Sequence, residues 1–473
     1  MKKVLSLILA AALMLGLCAC GGSGEGASSA PEGLHVGYGQ ADIMPAMGTP
    51  LGGYGQEENR LANGMLDKLY ATCLAFQDGG DIVVLFNMDA IRSNKDLTAE
   101  VRTQVSAATG VKPENIIVMS THSHSTPELK NSAVKGSYWP VYIKGAVAAA
   151  EAAVADMAPA KLYMGSKTLE GMNFVRHYEM LDGSYAGSNF GDFAIGIKDH
   201  ATVGDPELRV VKIEREGEGK NDIAICNWAA HPCFTGGSTE LNIASDYIGT
   251  TRRALKDING MDMFFIQGAA GNQNTGSQIK TEAHGLDNNS YGQKLAEAVA
   301  EVAAAATLVE GSGVQVYSKE FTYKVQKEGS DPETLSKARE VVQLWEDTDR
   351  ATGNALAKKY GFHSVYHCSA IISNATRTKD EDTVHLDVTR IGGIALAHAP
   401  YEMFSNQSLY IKENSVFGEN TIIATMSNHA WGYFPSAEAY AYGCYESFGA
   451  QFVSGIAEDA ADYFLELLQE AKA

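Results

Sequence analysis

Cysteine is scarce in this chain, and what there is of it is badly spaced for cross-linking. Of seven cysteines in 473 residues, those beyond Cys20 are Cys73, Cys226, Cys233, Cys368 and Cys444, an odd, scattered set with no Cys-x-x-Cys. That spacing excludes a disulfide framework and a thiolate metal site. Small core residues, with room for one bridge, are the expectation. Basic charge is also short. Lysine and arginine number 37 against 57 acidic residues, a formal charge of −20, which becomes −22 when Lys2 and Lys3 are subtracted with a leader. Such acidity argues against nucleic acid as a partner and against electrostatic docking on anionic lipid. Long apolar runs are missing too: beyond Leu5 to Leu17, nothing reaches the roughly 18 residues of a membrane span.

What is present begins with a processing signal. Lys2 and Lys3 precede the apolar core Leu5 to Leu17, and Leu17-Cys18-Ala19-Cys20 resembles a lipobox. Residues 1–19 are then a lipoprotein signal peptide and Cys20 bears the lipid. The Gly-, Ser- and Ala-rich stretch 20–33 becomes a flexible tether. The working protein is expected outside the cytoplasm, bound to the bacterial cell membrane through Cys20. Residues 34–473, in a chain 45% hydrophobic and 20% charged, have the make-up of a soluble globular protein.

Apolar, β-branched runs alternate with alanine-rich amphipathic segments, the pattern of an α/β protein with layered mixed sheets and flanking helices in a single large catalytic domain. The expected strands include Ile82 to Asn87, Asn115 to Ser120, Ile223 to Trp228, Met263 to Gln267, Val314 to Val325, Val384 to Ala397 and Thr421 to Thr425. The expected helices are Leu97 to Ala107, Val141 to Met157, Tyr247 to Ile258, Tyr291 to Ala305, Pro332 to Lys359 and Ala450 to Glu470. Gly165 to Asp205 and Gly268 to Asn289 read as long functional loops. The turn cluster Gly48 to Gly55 reads equally as a cleft rim or as plain turns.

Four apolar runs end in polar side chains able to meet at one sheet edge. These ends are Thr121-His122-Ser123-His124-Ser125, Ala230-His231-Pro232, Pro400-Tyr401-Glu402, and Ser427-Asn428-His429 with Tyr433. Side chains two apart on an extended strand point the same way. Two neutral imidazoles and a carboxylate are a familiar zinc set in hydrolases, where an open position holds a water of lowered pKa. Spacing alone does not single out zinc.

Taken together, these segments resemble the neutral (non-lysosomal) ceramidases. The likeness rests on Ala41-Asp42-Ile43 with Pro45, Gly48-Thr49-Pro50-Leu51, Thr121 to Ser125, Asn173 to Tyr178, His231, Ser245-Asp246 with Gly249, Gly271-Asn272, Pro400-Tyr401-Glu402 and Asn428 to Glu446. Its most specific part is Asn428, Tyr433, Tyr440 and Tyr445-Glu446, which keep the family's spacing without a gap. The resemblance implies zinc (Zn2+) held by His122, His231, Glu402 and Tyr433. It also implies proton handling by His124 and oxyanion stabilisation by Arg176 and Tyr445. The implied substrate is a linear amide, small or lipid-like, such as an N-acyl lipid. Asp246 is either a support for a ligand imidazole or a helix cap.

Two departures bear on the substrate. Asn272 and Asn274 stand where the family carries aspartate and serine, and the chain stops after the helix Ala450 to Glu470 with no strand-rich C-terminal β-sandwich. Rival classes are a lipid-anchored binding protein without catalysis and a metal-dependent esterase or phosphoesterase. The first leaves the converging His, Glu and Tyr side chains without a purpose. A phosphoesterase wants an early Asp-x-His and bridging carboxylates that the sequence lacks.

Overall fold

A computed structural model describes residues 32–473, apart from 55–58, 238, 239, 283, 328 and 330. The expected signal peptide, Cys20 and the tether up to residue 31 lie outside the described residues. The main sheet is built from β1 (His35–Asp42), β2 (Tyr70–Gln77), β3 (Val83–Met88), β4 (Ile116–Ser120), β5 (Ala158–Thr168), β6 (Glu207–Arg215), β7 (Ile223–Trp228) and β8 (Asp262–Gln267). Their spatial order is β8-β7-β6-β5-β1-β2-β3-β4, with Thr307–Leu308 added beside β5. A second sheet runs β9 (Val314–Lys324), β10 (Glu381–Ile391), β11 (Ile394–His398), β12 (Thr421–Ala424).

Only three neighbouring pairs within these two sheets are parallel: β3–β4, β7–β8 and β11–β12. A parallel pair needs a crossover. Helix α1 (Lys95–Thr109) joins β3 to β4; α2 (Trp139–Ala155) follows β4, α3 (Asp246–Asn259) joins β7 to β8, and α4 (Asn288–Ala305) comes after β8. Next come α5 (Pro332–Asp347), α6 (Arg350–Lys359) and α7 (Val365–Asn374), inserted between β9 and β10, and then α8 (Ser405–Asn414), which joins β11 to β12. The chain closes with α9 (Tyr445–Gly449) and α10 (Ile456–Lys472).

The main sheet curls until β8 lies against β2, β3 and β4, while β12 touches β7 and β8. Leu85, Ile117, Met119, Ile225, Phe264, Ile266, Leu396 and Ile422 fill the space enclosed. Strands such as β4 and β7 are therefore buried along their whole length, which is why they read as continuous apolar runs. Helices α1 and α2 cover the outside of one half of the sheet, α3 and α4 the other, and α10 the second sheet.

The layered α/β reading holds, and several elements differ from expectation for identifiable reasons. Strand β1 is glycine-rich because α2 passes directly over it: a Cβ at Gly37 would stand 1.9 Å from the Ala153 carbonyl oxygen, and one at Gly39 2.0 Å from that of Ala149. The segment expected as a loop from Gly165 to Asp205 begins inside β5 and contains the strands Phe174–Val175, His177–Met180, Tyr185–Gly187 and Ile197–His200. Val384 to Ala397 is a hairpin, turning at Gly392 with φ +57°. Pro332 to Lys359 breaks into α5 and α6, where the Asp349 side chain caps α6 by accepting from Thr352 N–H. The last helix starts at Ile456, after Gly455. All five described cysteines are free thiols.

Candidate metal centre

The three parallel pairs deliver their carboxyl ends to one place, where open α/β sheets bind ligands. His122 leaves β4 in a left-handed conformation, φ +66°, and its Nδ1–H donates to the carbonyl of Ile91, just beyond β3, at 2.7 Å. His231 leaves β7, and its Nδ1–H donates to the carbonyl of Ala270, just beyond β8, at 2.7 Å. Each of these two pairs, β3–β4 and β7–β8, thus supplies one imidazole and, from beyond its other strand, the carbonyl that fixes that imidazole's tautomer.

With both protons committed at Nδ1, the two Nε2 lone pairs face each other at 3.1 Å. Glu402 Oε2 lies 3.3 Å from the first and 3.4 Å from the second, and it is buried without a hydrogen bond. Burial, with Arg176 nearby, lowers His231 to about 4. His231 therefore brings no second proton to the gap at neutral pH. Three buried acceptor atoms turned toward one point fit a divalent cation.

Glu402–Met403 and Tyr433–Phe434 form a short parallel ladder with Glu402 opposite Tyr433, and Glu402 N–H donates to Gly432 O at 2.9 Å. The Tyr433 ring centroid is 6.5 Å from that of His231. Burial and the Glu402 carboxylate push the Tyr433 phenol well above its ordinary pKa, so a cation is needed to ionise it. Asn428, at φ +60°, pins the strand that carries His122. Its N–H donates to Val118 O at 2.6 Å, its Oδ1 accepts from Val118 N–H at 3.0 Å, and its Nδ2 donates to Asp387 at 2.7 Å.

His124 is a third imidazole at the edge of this set, its Nε2 3.4 Å from that of His122. The three rings sit close enough for all to face one ion. Burial pushes the His124 pKa well below the usual value. Tyr54 packs edge-on against it at 5.3 Å, and a Cβ at Gly53, φ +103°, would strike its Nδ1 at 2.6 Å. The glycine cluster thus reaches this cleft at Gly53.

Arg176 projects from the Phe174–Val175 segment, which pairs with Gln273–Asn274 beside His231. Its Cζ lies 5.3 Å from the Tyr433 ring centroid, and its Nη1 donates to Asn274 Oδ1 at 3.3 Å. Tyr445 stands 5.7 Å from Tyr433, ring to ring. Asn272 is occupied elsewhere, accepting from Ser405 N–H and donating to Ser405 Oγ where α8 begins. Asp246 neither holds an imidazole nor caps α3 from its N-terminal flank. At φ +58° inside the first turn, it accepts from Thr235 N–H and Oγ1–H and from Tyr247 N–H.

Residues 34–267 match the family described as neutral/alkaline non-lysosomal ceramidase, N-terminal. The chain belongs to that family. Curated proteins give no match. Among solved structures, the neutral ceramidase from Pseudomonas aeruginosa superposes with a TM-score of 0.66 at 17% identity, over 93% of this chain and 74% of that one. A ceramidase complexed with C2 gives 0.65 at 18% identity, over 93% and 75%. The ceramidase fold is thus shared across nearly the whole chain.

In this ceramidase-family chain the sequence reading names every side chain around the facing nitrogens but misses what orients them. The carbonyls of Ile91 and Ala270 carry no side-chain signal. Tyr54, His177 and Tyr442 fall inside stretches the sequence marks out, Gly48 to Gly55, Asn173 to Tyr178 and Asn428 to Glu446, but nothing in those stretches marks them individually.

Proposed function

We propose that the chain is a zinc-dependent amidohydrolase that cleaves a linear N-acyl bond, with His122, His231, Glu402 and Tyr433 holding the ion. The observation that carries this reading is the pair of imidazole lone pairs 3.1 Å apart beside an unpaired carboxylate oxygen. Zinc bound there would polarise the acyl carbonyl and bring the pKa of a water toward about 7.

The chain's own residues supply the remaining steps. His124, kept neutral by burial, accepts a proton at Nε2 from the attacking water and returns it to the leaving nitrogen. Arg176 and Tyr445 donate N–H and O–H to the developing oxyanion. Amide cleavage needs both carbonyl polarisation and protonation of the leaving amine, and the cleft offers a group for each. Because Asn274 occupies the family's serine position, the reading extends to N-acyl compounds as a class and does not commit to ceramide. Anchoring outside the cytoplasm by a lipid on Cys20 belongs to the same reading, and Cys20→Ser should abolish incorporation of labelled fatty acid.

The direct test uses protein lacking residues 1–33 against N-acyl sphingosines, N-acyl amino acids and simple acyl esters. At least one amide should turn over, lose turnover on chelation and regain it with zinc. Undiminished turnover after complete metal removal would reject the proposal.

A further inference from the structure

Beside the metal centre lies a second buried cluster whose connections give it a different use. Arg176 Nε donates to Glu446 Oε1 at 2.8 Å, and Nη2 reaches the same oxygen at 2.6 Å. The other oxygen, Oε2, accepts from His177 Nε2–H at 2.8 Å. His177 Nδ1 in turn lies 2.7 Å from the Tyr442 hydroxyl. The Tyr442 ring stacks on Tyr185 with centroids 4.4 Å apart and planes at 12°, while Phe190 and Phe404 close around His177. His177 and Glu446 are fully buried.

Cys444 comes close enough to make a His-Cys-Glu trio of metal-capable types. Ligation is nevertheless unavailable to it. Both His177 nitrogens are already engaged, Nε2 by Glu446 and Nδ1 by Tyr442, which leaves no imidazole lone pair turned toward the trio. What the cluster does is hold one guanidinium. The Nε–H of Arg176 donates to a carboxylate that its Nη2 also contacts as an ion pair, and the plane of that carboxylate is fixed from behind by His177 and Tyr442. The opposite edge of the guanidinium faces Asn274 and Tyr433. Arginine is long and flexible, and a donor to a developing charge works only if it is aimed before the charge appears.

We infer that Glu446, braced by His177 and Tyr442, is a positioning residue that fixes the Arg176 guanidinium against the metal centre. The inference rests on the hydrolase reading only for what Arg176 then does. Glu446→Gln keeps the shape of the side chain and removes its charge. With a cleaved amide as substrate, kcat should fall about 10²-fold, the scale of losing one oxyanion donor, while KM and zinc content stay near wild type. Glu446→Asp should recover part of the loss. Arg176→Ala combined with Glu446→Gln should be no slower than Arg176→Ala alone, because both act through one guanidinium.

Wild-type kcat in Glu446→Gln, or independent losses that multiply in the double variant, would overturn the inference. A second bound metal lost in His177→Asn would also overturn it. A wild-type protein that cleaves none of the amides would defeat the hydrolase reading, and an NMR readout then decides the clamp separately. The Arg176 Nε–H resonance should be protected from solvent exchange in the wild type and lose protection in Glu446→Gln; retained protection would refute the clamp.

Discussion

Glu402 and Glu446 make an instructive pair. Both carboxylates lie in the cleft next to imidazole nitrogens, and both fall within the field of Arg176, yet one faces lone pairs and the other faces protons. The partner on the far side of each ring decides which. Backbone carbonyls can only accept, so Ile91 and Ala270 hold the protons of His122 and His231 at Nδ1 and leave Nε2 bare toward Glu402. Tyr442 has a hydroxyl that can donate to Nδ1 of His177, which frees the Nε2 proton for Glu446. Buried His-Glu contacts of similar composition thus present bare lone pairs suited to a cation in one case and a fully hydrogen-bonded carboxylate in the other, according to a neighbour that neither residue type reveals.

Breaking the first cluster should have the largest effect. His122→Ala is expected to lose the metal and at least about 10³-fold of activity, since the attacking group and the carbonyl polarisation disappear together. Circular dichroism should stay native, because the fold is held by cores that His122 does not fill. Zinc analysis beside a turnover assay checks it, and an active, zinc-free variant would remove the basis of the comparison. His124→Ala should sit between the clusters in behaviour, keeping its zinc and losing about 10²-fold, as for a missing general acid-base group. Loss of zinc in that variant would instead move His124 into the ligand set.

Acid should separate the clusters by pH. His231 titrates at about 4 in the fold, below the ordinary 6.5, so the unfolded chain binds its proton first as pH falls. Its contribution to stability is present above 6.5 and is lost between 6.5 and about 4. Glu446 is lowered from 4.5 to about 2, so the stability it adds persists until pH falls below 4.5 and goes between there and about 2. Melting temperatures of metal-free wild type and Glu446→Gln should therefore drop in parallel from pH 7 to 5 and converge only below 4.5. Zinc-induced stabilisation should shrink over the higher range, where protons compete for the ring. Convergence already at pH 6 would contradict the division.

Much of this was legible in the sequence, for a physical reason. Strands buried on both faces write themselves as apolar runs, and a polar side chain at the end of such a run is displayed next to it, as with His122 after Ile116–Ser120 and His231 after Ile223–Trp228. Tyr433 and the role of His124 came from family resemblance, because a phenol and a second imidazole have no distinguishing local pattern. Strands β1, β5 and β6 escaped because glycines under α2, or charged and polar positions along partly exposed stretches, interrupt their apolar pattern. Glu446 was visible only as part of a spaced motif. Its partners at 176, 177 and 442 arrive through tertiary packing.

Tyr433→Phe offers a finer test of where the ion site ends. Removing the hydroxyl should leave one zinc per chain but weaken its hold about tenfold to 100-fold, the range for loss of a supporting partner. Chelator competition measures that, and zinc addition to the wild type should raise a tyrosinate band that the variant lacks. A variant with unchanged affinity and no difference in band would place Tyr433 outside the ligand set.

The smallest effect is expected at Asn274, where the chain departs from its family. Its Oδ1 accepts from Arg176 Nη1 at 3.3 Å, a long contact to a guanidinium already held by Glu446. One such bond is worth on the order of 1 kcal/mol, so Asn274→Ser should alter kcat by less than about tenfold for any single substrate. Its influence should show as a ratio, because a serine hydroxyl is shorter, both donates and accepts, and leaves Nη1 free to meet the substrate. The kcat/KM for an N-acyl sphingosine relative to an N-acyl amino acid should rise in Asn274→Ser. A ratio that stays fixed while both rates move together would mean that Asn274 only helps aim Arg176, joining it to the Glu446 brace and leaving substrate choice to other walls of the cleft.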